Sequence, residues 1–475
     1  MEDFTKLIEQ RCSKENMQKL AKVNNSKAKH FIGQMVKLCN PDSIFVRTDK
    51  VADHQYIKGK AIALGEESKL AIEGHTVHFD GINDQARDKA ATKYLLPEGM
   101  NLGNNLNCIE RQKGLREVKN YLKDSMKGKE MIVAFFGLGP RDSDFFIPCL
   151  QVTDSFYVAH SEGILYRSGY QQFLKLGNDD NFFRFIHSAG ELINGNSKNI
   201  DKRRIYIDFK KENVYSVNTQ YAGNTVGLKK LALRLAIRKA AREGWLAEHM
   251  FVMGVKGPGE RKTYFCGAYP SGCGKTSTAM ISGESIIGDD IAYLRKKNGR
   301  IKAVNVENGI FGIIRDVNAQ GDPLIWQALN NPGDVIFSNV LVSSENKPYW
   351  LGDERQHPHS GTNFSGRWFD GKIDQVGNEI PLSHKNARYT VNLKQLKNCD
   401  DNLENPQGVN VGAIIYGGRD SDTWPPVQES LGWVHGVISM GAALESETTA
   451  ATLGKQGVRV FNLMSNLDFL SIPLG

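Results

Sequence analysis

Paired cysteines are missing from this sequence. Its seven cysteines (Cys12, Cys39, Cys108, Cys149, Cys266, Cys273 and Cys399) form no CxxC pair and no staple-like spacing. A disulfide framework and a thiolate metal site are both without support, and a reducing, cytoplasmic setting is favoured. Long apolar runs are missing as well. The strongest, residues 131–138 (MIVAFFGL), falls far below the roughly 20 residues needed to cross a bilayer and reads as a buried strand, so no membrane role is expected. The opening MEDFTKLIEQRCSKEN carries acidic groups and no apolar signal core, which argues against secretion. Charge is nearly balanced: Lys plus Arg is 60 against 53 for Asp plus Glu, a net +7 over 475 residues. A surplus this small implies no nucleic-acid partner; it suits anionic substrates without requiring them.

Apolar residues make up 40% of the chain, enough for a sizeable core, and no internal repeat is visible. Residues 1–45 alternate charged and apolar positions in a helical manner. Residues 43–46 and 57–64 read as β-like, 114–127 as a helix, and 131–136 and 204–209 as strands. The clearest helix covers 228–245, with Gly244 as its end signal. Strand-like segments at 249–254, 263–268, 284–288 and 412–416 then alternate with glycine-rich turns. Residues 351–383 read as a long loop or hairpin insertion. The expected fold is α/β, with a mixed-sheet N-terminal domain over 1–215 followed by a nucleotide-binding core over 216–475 that contains a phosphate loop.

The strongest chemical signal runs from Thr263 to Thr276. A β-prone run enters a turn of Pro270, Ser271, Gly272 and Gly274, and Lys275 and Thr276 open a helix. Glycines let successive N–H groups converge on phosphate oxygens, Lys275 can reach the outer phosphates, and the Thr276 hydroxyl can join the shell of a nucleotide-bound Mg²⁺. The GxxxxGK(S/T) spacing asks for glycine at 269, where this chain has Tyr269. Cys273, inside the loop, is expected to be reactive, with a thiol pKa lowered by the N–H groups and Lys275. Downstream, Asp289 and Asp290 end a short apolar strand, where an aspartate can face a phosphate-bound cation; Asp290 is the better candidate.

A second constellation is looser. His249 precedes a core strand, and an imidazole beside a carboxylate suits Mn²⁺ better than Mg²⁺. Arg87, Arg388 and Arg419 lie on polar or glycine-rich turns, where guanidinium forks can grip carboxylate or phosphate, although each alone reads more readily as surface. Tyr221-Ala222-Gly223-Asn224 is a turn able to form a small-molecule pocket or a simple loop. The run from Ser446 to Thr452, followed by Gly454 and Gly457, resembles a short helix with mobile ends that could act as a lid.

Taken in order, EGWLAEH (243–249), YPSGCGKT (269–276), GDDIA (288–292), VENGIFG (306–312), SHKNARY (383–389), YGGRD (416–420) and ESETTAAT (445–452) resemble the GTP-dependent phosphoenolpyruvate carboxykinases, closest to archaeal-type members. With Arg87 included, the resemblance covers residues 83–475. It implies a carboxykinase core and a lyase of gluconeogenesis: reversible decarboxylation and phosphorylation of oxaloacetate by GTP, giving phosphoenolpyruvate, GDP and CO₂. It further implies Mn²⁺ held by Lys230, His249 and Asp290, with Lys230 neutral, and a second ion, Mg²⁺ or Mn²⁺, travelling with the nucleotide and Thr276. Arg87, Tyr221, Ala222, Gly223, Ser271 and Asn386 would hold oxaloacetate or phosphoenolpyruvate. Cys273, Lys275, Arg388 and Arg419 would form the catalytic set, the last three stabilising the transferring phosphoryl group. Gly272, Cys273, Gly274, Lys275, Thr276, Ser277, Arg388 and Arg419 would contact the nucleotide, and residues 445–458 would be the lid.

Family members run on well past the equivalent of Gly475, so the C-terminal part is expected to be missing from this chain. Phe461 and Phe469 match two aromatics of the family's guanine pocket, while Leu474 stands where a third is common. A monomer is expected. The alternatives are a related carboxykinase using pyrophosphate or ATP, and a catalytically silent scaffold.

Overall fold

A computed structural model describes residues 3–461 apart from 89, 103–105, 194, 271–272, 423–424, 426, 437–444 and 448–456. The apolar run seen in the sequence becomes the strand Glu130–Leu138, buried along nearly its whole length. Such a strand needs cover on both faces, and the period-2 alternation of its side chains shows how it gets it. Met131, Val133 and Phe135 pack with Phe31, Ile32, Met35 and Val36 of the helix Ser26–Cys39. Ile132, Ala134 and Phe136 join Phe156 and Tyr157 of the helix Phe156–Leu165. Burying one such side chain stabilises the fold by about 1.5–3 kcal/mol, so this pair of layers is a main source of stability.

Around it lies a nine-stranded mixed sheet. Ser43–Arg47 pairs parallel with Glu130–Leu138, which pairs antiparallel with Ile147–Thr153. The order continues through Phe183–Ser188, Asn213–Val217, Arg204–Asp208 and Thr92–Leu96 to Cys108–Glu110. A second, seven-stranded sheet carries the later residues, in the order Leu246–Glu248, Ala292–Lys297, Arg300–Asn305, Val409–Tyr416, Lys262–Ala268, Phe251–Lys256 and Ser285–Gly288. This is a mixed α/β N-terminal part followed by a core containing the phosphate loop. Early chain is also built into the later half: His75–His78 pairs parallel with Val335–Ser338 in a five-stranded sheet that includes Arg388–Asn392. Among the described residues no helix is long and apolar enough to cross a membrane.

Several local expectations change. Residues 57–64 are not a strand: they lie almost wholly in the helix Val51–Ala63, which buries Asp53, Ile57 and Ala61 at a spacing of four, a helical stripe that the short apolar run concealed. The helix expected over 114–127 is Arg111–Leu122 and stops because Asp124 takes a left-handed turn, φ 55°. The helix expected over 228–245 begins as a π turn, Gly227–Leu231, and becomes regular over Ala232–Glu243. Gly244, at φ 74°, ends it. Residues 351–383 contain the hairpin Ser360–Asn363 and Gly366–Phe369, pinned by Trp368 Nε1 donating to the Ile380 carbonyl. The helix expected from Ser446 is not seen where the segment is described: Glu445–Glu447 is a strand paired with Arg459–Phe461.

Candidate active site

Three strands of the seven-stranded sheet deliver one cluster. His249 follows Leu246–Glu248, Asp290 follows Ser285–Gly288, and Lys275 opens the helix Lys275–Ala279 beyond Lys262–Ala268. The π turn supplies two more groups. Successive side chains of a regular helix diverge by about 100°, yet Lys229 and Lys230 both reach Asp290, at 2.8 Å from Oδ2 and 3.3 Å from Oδ1. The non-helical backbone of Lys229 (φ −85°, ψ −117°) permits this convergence. His249 Nε2 lies 2.6 Å from Asp290 Oδ1 and touches Lys230 Nζ, and Lys275 Nζ donates to Asp290 and to the Asp289 carbonyl.

The electrostatics follow from this crowding. Burial, reinforced by Lys275, Arg87 and Lys229, holds the Lys230 amine well below its ordinary pKa against the pull of Asp290. Burial, with Lys230 and Lys275, does the same to His249. Burial alone would raise Asp290, but Lys229, Lys230 and Lys275 outweigh it and keep the carboxylate ionised. Lys229 remains an ammonium because Asp290 and Glu307 together overcome its burial. An amine and an imidazole, both held toward their neutral forms, and a carboxylate oxygen thus share one small volume, a nitrogen and oxygen donor set that suits a borderline divalent ion. Asp289 Oδ1, buried and without a hydrogen-bond partner among the described residues, is an acceptor of the kind a metal-bound water would satisfy.

A second group lies on the substrate side. Asn386 Nδ2 donates to the Tyr221 hydroxyl at 2.9 Å and to the Gln85 carbonyl at 2.8 Å. Arg388 donates from Nε and Nη2 to Asn386 Oδ1, at 3.1 and 2.8 Å, and lies over the Phe311 ring. Tyr221 leads into the short helix Ala222–Thr225, and Ala222 is buried behind it. A side chain at Gly223 would strike the Tyr221 ring, since an added Cβ would stand 2.3 Å from Cε1. Asn224 bonds to the backbone of Ala86 and Asp88, which holds the Arg87 loop against this turn. Arg87 lies close enough to Lys230 to disfavour its charge, so the two groups are neighbours.

In the phosphate loop Gly274 has φ 86°, a conformation open to glycine. Thr276 is half-buried and Ser277 exposed on the following helix. Cys273 Sγ lies 3.6 Å from Ser446 Oγ, which also accepts the Arg419 N–H at 3.0 Å. Arg419 itself is largely exposed, with Nε 3.6 Å from Glu447. Phe461 ends the strand Arg459–Phe461. Ser271, Gly272 and Phe469 lie outside the described residues.

Sequence reasoning missed two members of the cluster, Lys229 and Glu307, which form a buried ion pair beside Asp290. Glu307 sits within VENGIFG, a run singled out as a motif without a role, and its place directly after the apolar Val306 was the available signal. Elsewhere, His54, His160 and Asp334 bring three ligand atoms within 4.8 Å of one another, a spacing that could hold a divalent ion. There, however, Lys58 Nζ already donates to Asp334.

The phosphate loop, the cluster facing it and the two-part α/β frame define a phosphoryl-transfer protein. The chain belongs to the GTP-dependent phosphoenolpyruvate carboxykinase family. Residues 30–241 match the model of the phosphoenolpyruvate carboxykinase N-terminal domain, and residues 245–475 that of its C-terminal P-loop domain. It is 58% identical over 460 residues to phosphoenolpyruvate carboxykinase [GTP] of Pyrococcus abyssi, an alignment covering 96% of this chain and 74% of that protein. The protein of the same name from Saccharolobus solfataricus is 47% identical over 458 residues, covering 96% and 72%. That of Anaeromyxobacter is 33% identical over 460 residues, covering 94% and 74%.

Proposed function

We propose that this chain interconverts oxaloacetate and GTP with phosphoenolpyruvate, GDP and CO₂. The observation that carries the reading is the meeting of Lys230, His249 and Asp290 beside Lys275, together with the hydrogen-bonded chain Arg388–Asn386–Tyr221. Residues 1–215 supply the substrate side and residues 216–475 the nucleotide and metal side. Lys230, His249 and Asp290 would hold Mn²⁺, and Thr276 would share the ion that arrives with GTP. The bound ions supply Lewis-acid stabilisation of negative charge on oxygen.

The chain's own residues do the rest. Arg87, Tyr221 and Asn386 orient the dicarboxylate, with Ala222, Gly223 and Ser271 shaping the wall around it. Loss of CO₂ leaves the carbon–carbon bond pair as an enolate, whose oxygen then attacks the γ-phosphorus of GTP while the bond to GDP breaks. Lys275, Arg388 and Arg419 offset the charge on the phosphoryl group in flight. Placement and charge compensation suffice, and no covalent enzyme intermediate is needed. By the family resemblance, Gly272, Cys273, Gly274 and Ser277 would complete the loop around the phosphates, Phe461 and Phe469 would serve the base, and residues 445–458 would act as the lid. The proposed working form is a cytoplasmic monomer, checked by light scattering.

The test is phosphoenolpyruvate formation from oxaloacetate with Mn²⁺, comparing GTP, ATP and pyrophosphate on the same preparation. Turnover with GTP is expected. Turnover with pyrophosphate alone, or with none of the three, would contradict the assignment.

A further inference from the structure

Away from the cluster, the early and late halves of the chain enclose a cavity of about 390 Å³, within the range of small-molecule sites. Its wall holds four cations, Arg47, Arg141, Arg167 and Lys394, against a single carboxylate, Glu404. Three of these five groups are engaged with one another: Arg167 donates to Glu404 from Nε at 2.7 Å and to four backbone carbonyls from its remaining nitrogens, and Lys394 Nζ lies 3.3 Å from the other Glu404 oxygen. One carboxylate shared by two cations leaves the wall with a positive excess.

Arg47 is the group without an explanation. It ends the strand Ser43–Arg47, is only 5% exposed, and has its Nε and Nη1 fully buried with no hydrogen-bond partner among the described residues. The guanidinium rests on the Phe136 ring, 4.9 Å from its centroid. Two of the nearby carboxylates are committed elsewhere. Asp49 accepts from Ser168 and from the N–H groups of Tyr170 and Gln171, and Asp53 accepts from Lys19 and Thr48. The third, Glu162, is fully buried with both oxygens unpartnered among the described residues; it favours the Arg47 charge from a distance without hydrogen-bonding to it. Burial lowers the Arg47 pKa only to about 10, so the group keeps its charge at neutral pH. Gly163 leaves the space beside it open, since a Cβ there would sit 3.0 Å from Nη2. Across the cavity Asn308 Oδ1 is likewise buried and unpartnered, an acceptor waiting for an O–H or N–H donor.

A charged fork buried with two nitrogens unpartnered is costly, and a cavity lined by further cations makes it more so. We propose that this cavity is a second anion site, distinct from the phosphate loop, that takes a small oxyanion carrying a hydroxyl. Arg47 is its buried anchor, Arg141 and Lys394 close over it from the solvent side, and Asn308 accepts from the ligand hydroxyl. Hydrogen phosphate, phosphate esters and hydroxylated or partly protonated carboxylates share this chemistry.

The test is calorimetric titration of the whole chain at neutral pH with inorganic phosphate and, separately, with hydroxymalonate. It is run in a Lys275→Ala background that also carries Arg87→Ala, which removes the phosphate loop and the dicarboxylate site as competitors. One bound anion is expected to remain. Adding Arg47→Met should weaken it at least tenfold. Arg141→Ala and Lys394→Ala, both exposed and so tolerated by the fold, should each weaken it about threefold. The tighter of the two probes identifies the source as phosphoryl or carboxylate. No uptake of either probe in that doubly substituted chain, or uptake indifferent to Arg47, Arg141 and Lys394, would overturn the proposal.

Discussion

Two buried clusters of this protein are built from the same residue types and behave in opposite ways. Around Asp290 stand Lys229, Lys230, Lys275 and His249; around Asp334 stand Lys58, His54 and His160, with Glu67 on the far side of His160. In the first, cations outnumber carboxylates, so burial and mutual repulsion disfavour protonation of Lys230 and His249, whose nitrogens converge on one point. In the second, His160 lies between Glu67 and Asp334. Burial would lower its pKa, yet the two carboxylates raise it to about 9. The lesson is that charge balance, more than residue identity, decides whether a His–Asp pair becomes a ligand set or an ion pair.

The same substitution should separate them. Asp290→Asn removes the carboxylate that bridges the three lysines, and turnover should fall on the order of 10³-fold, the scale seen when one transition-state charge partner is lost. Steady-state rates read this directly, and a drop of less than tenfold would break the contrast. Asp334→Asn should leave kcat nearly untouched but destabilise the fold by about 3 kcal/mol, because His160 and Lys58 lose their shared partner. Urea unfolding followed by circular dichroism measures that loss.

The second cluster also predicts a pH dependence. His160 has a folded pKa of about 9 against an ordinary 6.5. A raised pKa contributes stability that is complete below 6.5 and lost as pH climbs through 9. Asp334 is shifted downward, so its contribution holds throughout that window. Unfolding free energy should therefore decline by about 2–3 kcal/mol between pH 6.5 and 9, and His160→Gln should flatten the decline. Equal slopes in the two proteins would refute the ion-pair reading. The smallest effect belongs to the substrate side: Tyr221→Phe removes one hydrogen bond to Asn386. It should cost about 1 kcal/mol in substrate binding, seen as a raised KM with kcat preserved.

The contrast also explains what could be read from the sequence. Lys275 and Asp290 were legible because each sits at a strand end beside a turn with a chemical reason to be there. The strands at 263–268, 284–288 and 412–416 were legible from apolar runs between glycines and emerge as Lys262–Ala268, Ser285–Gly288 and Val409–Tyr416. Lys229 and Glu307 were not, since 78 positions separate partners whose meaning lies only in their contact. Lys229 was further hidden inside what looks like an unbroken amphipathic helix, where the π turn leaves no mark in the periodicity. Residues 57–64 misled for the opposite reason: an apolar run that short fits a strand as well as one face of a helix. Arg47 gave no signal at all, because one arginine at a strand end is unremarkable until its surroundings prove to leave two of its nitrogens without a hydrogen-bond partner.

The most direct test of the account is Mn²⁺ titration of the chain without nucleotide at neutral pH, read by electron paramagnetic resonance, in the wild type, Lys230→Met and His160→Ala. The account predicts one tight Mn²⁺, weakened at least tenfold by Lys230→Met and unaffected by His160→Ala. Binding that survives Lys230→Met but disappears with His160→Ala would place the ion at the other cluster and contradict it.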